Sequence, residues 1–136
     1  MTDRPVPSPR GEETVFFSEA KQGRLSFQVC EDCQTRIAYP HVVCPTCLSD
    51  RLTRHPAAGT GTVHSFTTLH LAGHQALASE VPYTVVLVDL DEGVRVLADL
   101  LDGATPRIGM AVQAVFEDLT DELAIPRFRA VDGAPA

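Results

Sequence analysis

Four cysteines carry the plainest chemistry in this chain. Cys30-Glu31-Asp32-Cys33 and Cys44-Pro45-Thr46-Cys47 contain every cysteine of the 136 residues. A CxxC turn brings two sulfurs to one point, and two such turns facing each other supply the tetrahedral thiolate cage that Zn²⁺ prefers. The spacing therefore predicts a zinc ribbon with Cys30, Cys33, Cys44 and Cys47 as ligands and the zinc in a structural role. Two disulfides would suit a secreted chain, but no charged and apolar leader pattern precedes the ribbon. A redox CxxC opens a helix in a βαβ unit, and two equivalent copies are not expected there. Iron fits the same S₄ cage, so on spacing alone a rubredoxin-like electron carrier stays open.

The remaining polar residues offer less. The histidines (His41, His55, His64, His70 and His74) form no HExxH or comparable ligand pair. His41 lies close to the second knuckle, where four sulfurs already fill the shell, and reads as an outer neighbour or a surface residue. His64 and Ser65 alternate across a strand and point to opposite faces, which denies them a nucleophile–base pairing. His70 and His74 flank a long loop and read as solvated. Asp89, Asp91 and Glu92 begin like a calcium loop, but the downstream glutamate is missing and a hairpin turn explains them. Asp118, Asp121 and Glu122 read the same way.

The sulfurs need elements to hold them. Residues 1–11 contain three prolines and little to bury, and read as a flexible arm. Within 12–24, Glu12 to Gln22 has a helical pattern with Phe16 and Ala20 on one face. Gly23 stands where a left-handed cap is wanted, and one of the adjacent Phe16 and Phe17 is expected to face away from the local core. Residues 25–58 form the ribbon: Leu25 to Val29 leads into the first knuckle, Thr35 to Tyr39 returns, and Arg51 to His55 exits. Gly59-Thr60-Gly61 marks the boundary of a second domain, 59–136.

That domain is β throughout. Thr62 to Leu71, Tyr83 to Asp89, Val94 to Leu100, Met110 to Leu119 and Ile125 to Val131 predict five strands in meander order, the count of a small closed OB barrel. Tyr83 to Asp89 is nearly continuous in apolar residues, as for a strand buried on both sides. A helical turn is expected within 102–109. The link from Leu71 to Val81 is longer than the fold requires.

Bulk properties exclude several functions. The net charge is −7, with Lys21 the single lysine, and closing a Cys₄ site on Zn²⁺ takes it to about −9. That field repels a phosphate backbone, and the ten scattered arginines make no basic footprint, so an OB-fold nucleic-acid module is disfavoured. No apolar stretch is long enough to span a bilayer. Metal-held thiols without a targeting segment point to the cytoplasm.

With ribbon and barrel both in hand, the sequence resembles the DUF35 proteins: an N-terminal helix, a rubredoxin-like zinc ribbon and a C-terminal OB-fold. The matching segments include Gly23-Arg24-Leu25, both knuckles, Tyr39-Pro40, Gly59 to Thr67, Pro82-Tyr83, Val88 to Arg95, Ile108-Gly109-Met110 and Pro126-Arg127-Phe128. One departure is Gln34, where many members carry glycine after the second cysteine. The resemblance implies an accessory role beside a thiolase-like protein (a thiolase, acyltransferase or aldolase) acting on an acyl-CoA thioester, with a heterotetramer as the natural assembly. The residues agree that the chain is not catalytic alone: a thiolase-type reaction needs an activated cysteine near a histidine, and every cysteine here is committed to metal. On the barrel, Phe66, Tyr83 and Phe116 are candidates to line a ligand face and Arg95 to meet phosphate or carboxylate, although such residues more often serve the core or a salt bridge.

Overall fold

The computed structural model describes residues 4–101 and 103–131. Helix α1 spans Glu13–Lys21 and stops as its sequence requires. Gly23 adopts φ +78°, the Arg24 N–H bonds the Glu19 carbonyl at 2.9 Å and the Gly23 N–H bonds the Ala20 carbonyl at 3.0 Å. This is the paired C-terminal cap that glycine permits at low steric cost. Arg24 also grips the Glu19 carboxylate at 2.7 and 3.2 Å, which holds that carboxyl below its ordinary range. Phe16 and Ala20 are buried, as the periodicity predicts. Phe17 does not face away: it meets Phe16 edge-on at 5.4 Å and packs against the same core.

The ribbon sheet places β1 (Leu25–Cys30) between β2 (Arg36–Ile37) and β3 (Leu52–Ala57), both antiparallel to it. β2 is shorter than the sequence suggests. Tyr39 leaves the sheet to bond the barrel, and Pro40 has no N–H to extend a ladder.

The barrel comprises β4 (Thr60–Leu69), β5 (Tyr83–Leu90), β6 (Arg95–Leu100), β7 (Ala111–Asp118) and β8 (Ala124–Ala130), closed in the order β4-β5-β6-β8-β7. The expected meander is therefore corrected at its end. β8 inserts between β6 and β7, meeting β6 in parallel at Leu100 and Phe128, and β7 closes on β4. This five-stranded closure is the OB arrangement. Gly61 makes it possible, because a Cβ there would sit 2.4 Å from the Asp89 carbonyl oxygen and 2.9 Å from Val88 Cγ1. The close approach is by the next strand.

Two further expectations change. β5 is not buried on both sides: Val86 and Val88 are fully enclosed, whereas Val85 and Leu87 on the outer face are half-buried. Among the described residues of 102–109 there is no helical turn. A 3₁₀ turn lies instead at Gln75–Leu77 in the long link, capped by His74, whose Nδ1 accepts the Ala76 N–H at 3.0 Å.

One core joins the units. Val63, Val86, Val88, Val112 and Phe128 of the barrel are contiguous with Phe16 of α1 and with Leu25 and Phe27 of β1. Each such fully buried side chain contributes roughly 1.5–3 kcal/mol. A separate small cluster of Cys30, Ile37 and Cys44, with Leu52 against it, lies around the knuckles. Lys21 ties α1 to the β7–β8 turn through Asp118 at 3.0 Å and the Thr120 carbonyl at 3.1 Å. Arg4 pairs with Glu80 and with Glu117, so the N-terminal segment meets the barrel there. Among the described residues no helix is long and apolar enough to cross a membrane.

Candidate metal centre

The two knuckles repeat one construction. In the first, the Gln34 N–H bonds the Cys30 carbonyl at 2.9 Å and the Cys30 N–H bonds the Thr35 carbonyl at 3.0 Å; in the second, Leu48 bonds Cys44 at 2.9 Å and Cys44 bonds Ser49 at 2.8 Å. Each turn reverses through a residue with positive φ, +64° at Gln34 and +66° at Leu48. A Cβ in the left-handed region costs roughly 1–2 kcal/mol, so glycine would meet less strain at either place. Gln34 offsets part of that cost by donating its side-chain amide to the Glu31 carbonyl at 3.1 Å.

The result is a cage. The sulfurs of Cys30, Cys33, Cys44 and Cys47 all lie within 4.8 Å of one another, with Cys30 and Cys44 buried and Cys33 and Cys47 exposed. Asp32 of the first knuckle bonds Ser49 and Arg51 beyond the second, the latter at 2.6 Å, which ties the two turns together.

Electrostatics separate Cys33, Cys44 and Cys47. Cys33 is lowered, first by the Thr35 hydroxyl 3.0 Å from its sulfur and then by the Thr35 backbone. Desolvation pushes Cys44 up, but the Cys47 and Thr46 backbone N–H groups aimed at its sulfur carry it down to about 6. The Ser49 backbone draws Cys47 down, yet desolvation and the three neighbouring sulfurs push it up to about 12. Four thiolates this close together require a cation, so the donor set fits a divalent, sulfur-seeking ion. His41 is not part of it: its Nδ1 lies 2.7 Å from the Tyr39 carbonyl, and its backbone is held by the buried Gln28 at 2.8 and 3.0 Å.

The four barrel candidates do not gather at one point. Phe66 is exposed and shares a cross-strand row with Val86, while Phe116 is half-buried against the core. Tyr83 and Arg95 stand on the outer face at opposite ends of the β5–β6 pair. Arg95 is engaged by Asp89 at 2.6 Å, and His64, displaced outward by a bulge after Val63, lies 3.3 Å from the same carboxylate. Tyr83 lines a cavity of about 240 Å³ with Arg4, Glu80, Asp99 and Arg127. Burial pushes the Asp99 carboxyl up against the pull of Arg127 and Arg4. Neither the Arg4 contact nor this charged wall is visible in local sequence, because its members come from four separate segments.

Residues 17–53 match the family model described as "ChsH2, rubredoxin-like zinc ribbon domain", and residues 54–117 match "ChsH2, C-terminal OB-fold domain". A solved structure described as the "Ltp2-ChsH2(DUF35) aldolase" is 37% identical, superposes with a TM-score of 0.80, and is matched over 92% of this chain and 98% of that one. This chain belongs to the DUF35 family. A DUF35 domain-containing scaffold protein of Methanothermobacter thermautotrophicus is 27% identical over 101 residues, 72% of this chain and 75% of that protein. A DUF35 structure from Sulfolobus solfataricus, at 16% identity and a TM-score of 0.58, supports the fold alone. Two longer relatives are also similar. The probable enoyl-CoA hydratase alpha subunit of Thermomonospora curvata is 38% identical over 128 residues, 93% of this chain and 40% of that protein. The 3-oxo-4,17-pregnadiene-20-carboxyl-CoA hydratase alpha subunit of Mycobacterium tuberculosis is 32% identical over 120 residues, 85% of this chain and 37% of that protein. This DUF35 chain thus spans about two-fifths of the length of those two relatives.

Proposed function

We infer that this chain is a non-catalytic accessory subunit of a thiolase-superfamily complex acting on an acyl-CoA, stabilising the assembly and helping to bind or pass on the thioester. The observation that carries the reading is the near whole-length likeness to the DUF35 chain of an aldolase whose name joins two proteins. The names of the two hydratase relatives, both acting on CoA thioesters, support the substrate class. The chemistry supports it too: the chain's four thiols converge in the cage, which leaves no cysteine for a thiolase-type nucleophile.

Within this reading the metal is structural Zn²⁺ bound by Cys30, Cys33, Cys44 and Cys47. Four protein sulfurs leave such an ion no open position for water or substrate, and the ion fastens the knuckles. The units are the helix, the ribbon to residue 58 and the barrel from residue 59, and the assembly is a heterotetramer in the cytoplasm. Phe66, Tyr83, Arg95 and Phe116 remain the candidate thioester contacts, with Tyr83 favoured because it faces a cavity.

Co-expression with the thiolase-like proteins of the source organism, followed by native mass spectrometry, tests this. A stable complex with one of them, retaining one zinc per copy of this chain, is the expected result. A chain that elutes alone beside all of them and binds no CoA ester overturns the reading.

A further inference from the structure

The link between β4 and β5 bonds almost entirely to itself. No residue of 70–82 is buried, and the 3₁₀ turn at Gln75–Leu77 buries none of its residues. Its hydrogen bonds are local. The His74 ring takes the Ala76 N–H at 3.0 Å, and the Leu77, Ala78 and Glu80 N–H groups reach the His74, Gln75 and Leu77 carbonyls at 2.9, 3.1 and 2.9 Å. Among the described residues, the one side chain outside the link that hydrogen-bonds or ion-pairs with it is Arg4. Arg4 Nε donates to Glu80 Oε2 at 3.1 Å and Nη2 donates to the other carboxylate oxygen, while Nη1 meets Glu117 of β7 at 3.4 Å.

This contact is enclosed and extended. The Arg4 side chain is only 14% exposed, and Arg127 continues the pairing with Glu117 at 2.7 Å and Asp99 at 3.6 Å. Glu80, Arg4, Glu117, Arg127 and Asp99 therefore alternate in sign. Arg4, Glu80, Asp99 and Arg127 form the charged wall of the cavity of about 240 Å³ that Tyr83 lines with Leu77 and Val85. Without Arg4, the Glu80 and Glu117 carboxylates lose the cation between them and oppose closure. The segment that delivers Arg4 has little else to hold it: none of residues 4–9 is buried or lies in a helix or strand. Pro5, Pro7 and Pro9 lack the N–H that a ladder or helix needs and keep the stretch an extended, semi-rigid spacer leading back from α1.

We propose that the segment before α1 is a strap: Arg4 clasps the 70–82 link to the barrel and closes the Tyr83 cavity, and release of this one guanidinium opens it. A closure held by an ion-pair network rather than by buried apolar area belongs to the part of a fold that opens locally, well below global unfolding. The device concerns access to the cavity and does not depend on the accessory-subunit reading.

Hydrogen exchange and tyrosine quenching on the full zinc-loaded chain test this. In Arg4→Gln the Ala76, Leu77, Ala78 and Glu80 amides are expected to exchange about fivefold faster, while Val86 and Val88 keep their protection. On a Tyr39→Phe background Tyr83 is the only tyrosine, and the chain has no tryptophan. Acrylamide quenching of Tyr83 is expected to rise roughly twofold there when Arg4→Gln is added. Glu80→Gln should repeat both effects, and the double variant should add little to either single one. Lys21→Gln, which cuts the tie between α1 and Asp118, should leave the link as it is in the parent. Link exchange and quenching both unchanged in Arg4→Gln would overturn the strap. Either readout moving without the other would overturn it too, because the link would then not be what covers Tyr83. Lost protection at Val86 and Val88 in both Arg4→Gln and Glu80→Gln would make the pair a support of the whole fold and overturn the proposal.

Discussion

Tyr39 and Leu97 lie 58 positions apart and share one hydrogen bond, the Leu97 amide donating to the Tyr39 hydroxyl at 2.8 Å. The bond seals a stretch of β6 that β8 does not reach, since β6 and β8 pair at Leu100 and Phe128. Tyr39→Phe keeps the ring and removes the acceptor. The expected cost is about 0.5–1.5 kcal/mol, together with faster hydrogen exchange at the Leu97 amide. Unchanged protection at that amide would show that the bond does not hold the seam in solution.

Gln34 and Leu48 occupy equivalent left-handed positions, but their side chains differ in what they return. Leu48 is 74% exposed, whereas Gln34 bonds the Glu31 carbonyl. Leu48→Gly is therefore expected to stabilise the zinc-loaded chain by roughly 0.5–1 kcal/mol, and Gln34→Gly by less. Thermal melts of both variants at fixed zinc concentration check the order. A lower Tm for Leu48→Gly would mean that the leucine packs on something in the free chain.

Asp89 supplies a pH dependence with a definite sign. The Arg95 hydrogen bond, opposed by desolvation and aided by the Arg95 and His64 charges, holds the Asp89 carboxyl below its ordinary range. A depressed folded value stabilises the fold above the unfolded value of about 4 and is lost as pH falls through the folded one. Arg95→Gln is expected to return Asp89 towards the ordinary range and to flatten stability below about pH 4. Carboxyl NMR titration of Asp89 in both proteins measures this, and identical titration curves would contradict it.

Metal removal should act locally. Structural Zn²⁺ contributes on the order of 10 kcal/mol to such sites, and around the knuckles it is backed only by the small Cys30–Ile37–Cys44 cluster. β1, by contrast, is fixed in the main core by Leu25 and Phe27. With chelator, or in Cys47→Ala, amides in 30–52 should lose protection while those of Val86 and Val88 keep theirs. Equal loss in both regions would show that the ion supports the whole fold.

Much of this was legible in the chain. The knuckle spacing specified the cage, and Phe16, Ala20 and Gly23 specified the helix and its end, because each acts through neighbours a few residues away. The strands fell close to their predicted limits for the same reason. Strand order did not, since the insertion of β8 between β6 and β7 depends on a parallel contact at Leu100 that no local pattern announces. The run from Tyr83 to Val88 was correctly apolar on both faces, but one face is left half-covered by this chain alone. Alternation across strands sends Phe66 and Arg95 to different sides, a separation that depends on register rather than on either residue's own neighbours.

The most direct test of the central claim is thioester turnover by purified components. The zinc-loaded chain alone, the thiolase-like protein alone and their mixture are each incubated with a CoA ester that the complex processes. The account predicts no turnover by this chain, and an active complex whose rate falls sharply when this chain is left out. Turnover by the isolated chain, or full activity of the thiolase-like protein without it, would contradict the account.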